Sequence, residues 1–409
     1  MNFQNKRKII NDPVFGFISI PSDFQFDIIQ HPYFQRLSRI KQLGLASFVY
    51  PGAQHKRLQH SLGAMFLMNM AVEQLIARGQ EITEEEKDAV LATILLHDVG
   101  HGPFSHVLEN TLMDGVWHEE ISLMLLEKMN AEMGGKLDMA IAIFKDKYPK
   151  RFLHQLVSGQ LDMDRLDYLT RDSFFTGVVE GNIGFARLIK MLNVTNDQLV
   201  VEAKGIYSAE QFLVARRFMF WQVYLHKTSV VGEQMLIAII RRAKELLAQG
   251  KKIFALPQFL YFLENKVNLD FFRKNPEAIE QFVQLDDNDI ISTIKIWASA
   301  DDVVLSRLSR DFINRRLFKI HLLDKAVNET EIREKQQEIA RKLGISLHEA
   351  SYFVATDMIS NNTYTPKDDR INILYNDGTT KDISAASDMF NISVLNKEVR
   401  KYFYCYLRE

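Results

Sequence analysis

Six of the chain's eleven histidines, His55, His60, His97, His101, His106 and His118, fall within residues 55–118. Their centre is Ile94-Leu-Leu-His97-Asp98-Val-Gly-His101-Gly-Pro-Phe-Ser-His106, where an apolar stretch ends on adjacent His97 and Asp98. Imidazole and carboxylate donors side by side at a buried mouth suit Mn, Fe, Zn or Ni, and a carboxylate-rich variant accepts Mg. Two adjacent ligands leave a coordination sphere incomplete, so further donors must come from elsewhere. The candidates are His60, in a Gly/Pro-bounded loop running into an apolar helix, and Asp164, within Leu161-Asp-Met-Asp164-Arg-Leu-Asp-Tyr168. In that segment Asp164, Asp167, Tyr168, Arg171 and Asp172 follow i, i+3, i+4, i+7 and i+8, so they share one ionisable helix face. A lone His-Asp pair is explained by a hydrogen bond at a helix end, and a lone charged face by solvation. His60, His97-Asp98 and a later aspartate together favour a metal site.

The elements that must position these residues read as helices broken at glycine-bearing loops. Leu62–Ile76 is apolar and free of breakers after Gly63. Thr83 and Glu86 form a capping box opening a helix through Leu96, whose end is marked by Gly100, Gly102 and Pro103. Ile121–Met129 and Asp162–Arg171 are helical in pattern, and Ser208–Ala248 reads as one long helical region with Gly232 its only breaker. After Gly250 the texture changes. A charged helix over Glu329–Leu343 and a shorter one from Ser346 precede a loop at 360–370. Alternation over 371–375, the Asn376-Asp377-Gly378 turn and Thr379–Ile383 predict a hairpin. A terminal helix is expected to end in Tyr402-Phe-Tyr-Cys405-Tyr. The expected fold is mainly α: a helical body over 1–250 with a smaller α+β part over 251–409 packed on it.

Composition narrows the function classes. The 409 residues carry 50 basic and 52 acidic side chains, a net charge of −2, which excludes a general basic coat for nucleic acid but allows a local cationic pocket. Hydrophobic residues make up 47%, enough for a large core. With 19 glycines and 9 prolines, turn formers are too few for a many-stranded β fold. The single cysteine, Cys405, excludes a disulfide framework or Cys-rich zinc site and fits a reducing compartment. The opening MNFQNKRKII has no apolar signal core, and Val230–Ile240 is short and interrupted by Glu233, so a cytoplasmic protein without membrane spans is expected.

The motifs carry a resemblance. The chain is similar to HD-domain metal phosphohydrolases, whose signature is H…HD…D. Within them it resembles the deoxynucleoside-triphosphate triphosphohydrolases, including bacterial members and the vertebrate SAM-and-HD-domain enzyme. The matching stretches are HPYFQRLSRIKQLG (31–44), YPGAQHKRLQHSLG (50–63), LLHDVGHGPFSH (95–106), HEE (118–120) and LDMDRLDYLTRD (161–172), which run in order over about 30–240.

By this resemblance His60, His97, Asp98 and Asp164 ligate one divalent metal, of the Mn, Fe, Mg, Zn, Co or Ni class. Such an ion polarises the α-phosphate and lowers the pKa of a bound water, making a hydroxide nucleophile near neutral pH. In-line attack on the α-phosphorus would separate the nucleoside from the whole triphosphate. His118 stands at the family position near the leaving oxygen, with Glu109 where the family usually has an aspartate partner; His101 and His106 face the phosphates. Arg57 matches an α-phosphate contact, and Arg165, Arg216 and Lys227 match basic positions near the phosphate tail. Gln42 and Asp172 match residues holding the 3′-hydroxyl. Tyr168 would close against C2′ and leave no room for a 2′-hydroxyl, while Leu43 and Tyr224 lie in the same pocket, Tyr224 beside the base. The implied partners are a deoxynucleoside triphosphate, a nucleotide effector and further copies of the chain in a dimer or tetramer.

Other readings share parts of this pattern. A (p)ppGpp hydrolase would show Glu-Asp soon after the HD, where Val99-Gly-His-Gly stands, and the Gly-Tyr-Pro signature of cyclic-dinucleotide enzymes is absent. A nuclease uses the same metal chemistry, which keeps single-stranded nucleic acid among the candidate partners. A non-catalytic binding protein would not need all four ligand positions plus His118. One departure generates a prediction. Nucleotide-activated relatives read guanine with an acidic residue and an arginine, where Gln30 and Ser38 stand here. Guanine-nucleotide activation should therefore be weak or absent: adding GTP should produce neither tetramers by light scattering nor a large rate increase.

Overall fold

The computed structural model describes residues 8–104, 106–361, 370–388 and 399–408, the side chains of His106, Asn110 and Asn361 excepted. Among these residues the chain forms twenty α-helices and eleven short strands, a mainly helical fold. The helices that carry the histidine and aspartate motifs begin where the sequence supplies caps. Thr83 closes the expected capping box: Glu86 N–H donates to Thr83 Oγ1 at 3.1 Å and Thr83 N–H to Glu86 Oε2 at 2.9 Å. The Glu84–Leu96 helix then delivers His97 and Asp98 at its end. Asp162 caps the Met163–Thr176 helix by accepting from Arg165 N–H at 2.7 Å, which sets Asp164 in the first turn. The apolar helix spans Arg57–Ala77, so His60 also occupies a first turn. This helix packs on both of the others, so three helix ends meet at one place.

The Ser208–Ala248 region is not one helix. Ile206–Met219 is followed by a π-helical turn at Phe220–Tyr224, and the chain restarts at Lys227–Ala248. The break falls at Leu225–His226, where the His226 ring caps the new helix by accepting from Thr228 N–H at 3.1 Å. Gly232 continues that helix; it lets the backbone approach the Phe48 ring, which an added Cβ would meet at 3.0 Å. The sequence placed the breaker wrongly because glycine here serves close packing, while histidine is a rare cap with little local signature. The π turn turns Tyr224 toward Asp172, a placement of the kind such bulges often serve.

Strands join distant parts of the chain. Gln198–Glu202 pairs antiparallel with Leu192–Thr195 and parallel with Asn372–Leu374, which in turn pairs with Thr380–Asp382. The predicted hairpin turn is present, with Gly378 at φ +82°. Residues 362–369, the bulk of the expected loop, lie outside the described residues. The expected terminal helix is a strand. Val399–Tyr406 runs between Val354–Asn361 and Lys319–Leu323, antiparallel to both. Neighbours on either side satisfy its backbone, and Phe403, Tyr404 and Cys405 are buried. Aromatic residues favour such a pleated surface, and local pattern could not show that two strands were waiting for them. One continuous set of buried apolar side chains extends from Ile18 to Leu407, crossing position 250.

Gly63 sits where the Arg57–Ala77 and Met163–Thr176 helices pack together: a Cβ there would overlap Asp167 Oδ1 and Arg171 Nη2. Those side chains are buried and paired with each other, so they cannot yield without breaking that pair. Gly63→Ala should destabilise the protein by about 1–3 kcal/mol by overpacking, measurable as a reduced unfolding midpoint in denaturant.

Candidate active site

His60, His97 and Asp164 bring ligand atoms within 4.8 Å of one another. His60 Nδ1 lies 2.7 Å from Asp167 Oδ2, and His97 Nδ1 lies 2.7 Å from the Ile94 carbonyl oxygen. Each acceptor holds the proton on Nδ1, so Nε2 is the nitrogen of both rings that faces the carboxylates and would offer its lone pair to an ion. These atoms converge: Asp164 Oδ1 is 3.1 Å from His60 Nε2 and 3.3 Å from His97 Nε2. Asp98 closes the group, its Oδ1 3.4 Å from His97 Nε2 and its Oδ2 3.7 Å from His60 Nε2. Both Nε2 atoms are buried and make no aligned hydrogen bond among the described residues. Two orphaned imidazole nitrogens beside two carboxylates fit a divalent ion, and the backing of His60 by Asp167 is the carboxylate–histidine support that metal ligands commonly have.

The electrostatics favour positive charge here, carried by protons on the rings until a cation displaces them. Burial disfavours charge on His60, but Asp164 and Asp167 outweigh it and hold its pKa up at about 10. His97 is raised against its burial by Asp98 and Asp164. Asp164 lies well below the usual carboxylate range because His60 and His97 overcome its desolvation. Asp98 is also lowered against its burial, by His97 and Arg57, whose Nη1 donates to Asp98 Oδ2 at 2.6 Å. The pocket therefore keeps its carboxylates ionised and draws positive charge toward the two Nε2 atoms.

Behind the ligands stands a buried chain that the sequence pattern only half revealed. Arg171 donates through Nη2 to Asp167 Oδ1 at 2.9 Å and through Nη1 to Asp12 Oδ2 at 2.7 Å. The ionisable face at i, i+3, i+4, i+7 and i+8 is thus real, but Asp167 and Arg171 are fully buried. The loop after His97 is held as firmly. Ser122 Oγ donates to the His97 carbonyl at 2.8 Å and accepts from Gly100 N–H at 2.9 Å, while Arg36 Nη1 donates to the Val99 carbonyl at 2.9 Å. From the C-terminal part, Asp287 accepts Phe104 N–H at 3.3 Å and Lys41 N–H at 2.8 Å.

A cavity of about 660 Å³ opens on this centre, lined by Asp98, Asp164, His101, His118, Arg57, Gln42, Leu43, Tyr168, Asp172 and Tyr224, among others. The His101 and His118 rings lie 3.7 Å apart between centroids, and His118 Nδ1 is 3.1 Å from Glu109 Oε1. Asp98, His101 and His118 form a second group with metal-compatible spacing, so Asp98 stands between two sets of donors. Asp172 accepts from Tyr224 O–H at 2.8 Å and lies 2.7 Å from His55 Nε2. Gln42 Oε1 is buried without a hydrogen-bond partner among the described residues. Tyr168 packs edge-on to Tyr224 at 6.1 Å, and burial pushes its hydroxyl up to about 12.

Three of the basic candidates stand apart from the cavity wall. Arg165 pairs with Asp162 and donates to the Gly159 carbonyl at 2.6 Å; Arg216 donates to Gln160 Oε1 at 3.2 Å. Both lie near Tyr168 electrostatically. Lys227 is exposed at the start of its helix and does not line the cavity. The His106 side chain lies outside the described residues. Sequence reasoning gave no role to Asp167 behind His60 or to His55 behind Asp172. It also noted Glu233 only as an interruption of an apolar run. Spacing from Asp164 could have exposed Asp167; nothing local exposes Glu233.

Comparison with known proteins agrees with this geometry. Residues 57–172 match the HD domain, and residues 183–256 the HD associated region. A solved phosphohydrolase from Bacteroides thetaiotaomicron is 61% identical, over 98% of this chain and 100% of that one, with a TM-score of 0.96. The uncharacterized protein YwfO of Bacillus subtilis is 31% identical, over 98% of this chain and 92% of the relative. Human deoxynucleoside triphosphate triphosphohydrolase SAMHD1 is 30% identical over 60% of this chain, which spans 46% of the human protein. Because Asp167 fixes His60, Asp167→Asn should weaken divalent-ion binding roughly 10–100-fold, measured by isothermal titration with Mn²⁺, while Asp164→Ala should lose it altogether.

Proposed function

Since this chain belongs to the HD-domain family of metal-dependent phosphohydrolases, together with the SAMHD1 enzymes, we propose that its substrate is a deoxynucleoside triphosphate, cleaved to deoxynucleoside and inorganic triphosphate. The supporting observation is that one cavity joins Asp98 and Asp164, the carboxylates beside the His60 and His97 Nε2 atoms, to His118, which Glu109 backs, and to Gln42 and Asp172. A divalent ion held by His60, His97, Asp98 and Asp164 would supply Lewis-acid activation of phosphate and water.

The chain's own residues account for the rest. Water adds to the α-phosphorus and the bond to the nucleoside O5′ breaks, so the attacked phosphorus stays with the triphosphate. The departing O5′ needs a proton, which His118 Nε2 supplies, while Glu109 Oε1 holds the Nδ1 proton and steadies the imidazolium. His101, its ring tilted against His118, and Arg57, already at Asp98, would present donors where the α-phosphate would sit. Arg165 and Arg216 reach the phosphate tail by exchanging Asp162 and Gln160 for phosphate oxygens.

Selection of the sugar rests on Asp172 and Tyr168. His55 and Tyr224 hold both Asp172 oxygens, so the carboxylate meets the 3′-hydroxyl in a set orientation alongside the unpartnered Gln42 Oε1. The Tyr168 ring, fixed against Tyr224, takes the volume that a 2′-hydroxyl would need. A nucleotide effector and assembly into a dimer or tetramer accompany this reading.

The test is product identification with metal-loaded protein and each dNTP and NTP. Deoxynucleoside plus intact triphosphate is expected; diphosphate or orthophosphate as the first product would refute the reading. His118→Ala should lower kcat roughly 10²–10⁴-fold while retaining the metal, as judged by elemental analysis.

A further inference from the structure

The metal ligands and the Asp172 cluster account for only part of the cavity wall. Beyond Tyr224, the Lys227–Ala248 helix presents Ser229, Glu233, Ile237 and Arg241 to the same space. These residues recur every four positions, so they form one stripe with about 6 Å of rise between neighbours. Leu43, Leu45 and Ala46 line the same cavity, and Gly232 packs directly on Phe48 and Leu45. With the α-phosphate at Asp98 and Asp164 and the sugar hydroxyl at Asp172, the base has this stripe left to occupy.

Glu233 is the unusual member. Half-buried at the cavity wall, it is engaged by no hydrogen bond or ion pair among the described residues, and desolvation alone acts on its carboxyl, pushing it up to about 7. Ser229, one turn earlier, has a buried Oγ without a hydrogen-bond partner among the described residues. A buried polar group left unsatisfied is costly unless something arrives to pair with it. The mechanism above gives Glu233 no role, since it touches neither the ligands nor the His118–Glu109 pair.

We infer that Glu233 reads the base of the substrate, its carboxylate selecting guanine with Ser229 beside it. An ionised carboxylate is an acceptor only, with two adjacent oxygens. Guanine presents N1–H and N2–H side by side, and alone among the four bases offers a carboxylate two adjacent donors on its pairing edge. Adenine and cytosine set one amino donor beside a ring acceptor, and thymine sets its N3–H between two carbonyl oxygens that the carboxylate repels. The Ser229 hydroxyl supplies a donor for guanine O6. Accepting two N–H groups replaces the hydration that burial removes from the carboxylate, so guanine stabilises its ionised form. Arg241, exposed two turns further on, stands at the outer end of the stripe and leaves Glu233 available to the base.

This inference rests on the deoxynucleoside triphosphate reading, and the experiment separates the two. With metal-loaded, full-length protein, kcat and KM are measured for the four dNTPs in the wild type and in Glu233→Gln. Equilibrium dialysis measures binding of the four deoxynucleoside monophosphates in parallel. Glutamine keeps the side-chain shape while offering only one acceptor oxygen. The lowest wild-type KM is expected for dGTP, and Glu233→Gln should raise it roughly tenfold or more, while KM for dTTP moves less than about threefold. The dGTP loss should lie in KM rather than kcat, and metal content should be unchanged. Absence of a dGTP preference in the wild type, or an equal loss for all four substrates, would overturn the assignment. If no dNTP is hydrolysed, the substrate reading fails on its own. The monophosphate arm then decides Glu233: dGMP preference lost in the variant upholds its role, and indifference to the base refutes it.

Discussion

The position of one proton on each of two histidine rings governs the centre of this molecule. A His60 or His97 protonated on Nε2 would turn a donor toward the carboxylates and present no lone pair to an ion. Asp167 and the Ile94 carbonyl settle the matter by claiming both Nδ1 protons. The Ile94 contact follows from one turn of helix, because His97 lies three residues on. The Asp167 contact requires two helices to meet, and Asp167 is itself held by Arg171 and through it by Asp12 at the start of the chain. Burying such charges is tolerable only when every one is paired, and a break in a buried pair costs about 3–5 kcal/mol. The hairpin at Ile9–Asp12 and Gly16–Ser19 thereby takes part in orienting a residue at the far end of the relay.

The same economy shapes the rest of the cavity. Rings and carboxylates that face it are fixed from behind: Asp172 by His55 and Tyr224, His118 by Glu109, the His97–Phe104 loop by Ser122, Arg36 and Asp287. Asp287 belongs to a helix of the C-terminal part, and its carboxylate is raised by burial even while it accepts two backbone N–H groups. The segment after 250 therefore takes part in holding the loop that carries the site. Among the buried polar atoms without a hydrogen-bond partner in the described residues, the two Nε2 atoms, Gln42 Oε1 and Ser229 Oγ lie at the cavity or its histidine–aspartate group, where a ligand would meet them.

Much of this was legible in the chain. The capping box at Thr83, the apolar helix after Gly63 and the Asn376-Asp377-Gly378 turn are local signals, and each lies where the pattern put it. The gathering of His60, His97 and Asp164 was legible too, because three helix termini each carry their histidine or aspartate next to a cap or a glycine. Two elements were misread for opposite reasons. Val399–Tyr406 contains nothing that forbids a helix, and its strand state comes from two partner strands distant in sequence. The break at Leu225–His226 has no proline or glycine, whereas Gly232, the apparent breaker, is helical because Phe48 presses against it.

What the sequence determined by itself was the chemistry available and its order along the chain: which imidazoles and carboxylates stand at helix ends, and which family they resemble. Helix periodicity and capping are short-range forces, so they can be read from neighbours. Only the tertiary structure decided which nitrogen of each ring is free, that Asp167 and Arg171 are buried rather than solvated, and that Glu233 borders the cavity instead of facing water. Those outcomes depend on contacts between residues 40 to 250 positions apart, such as His60 with Asp167 and Lys41 with Asp287. Desolvation and hydrogen-bond direction exist only once such residues are brought together.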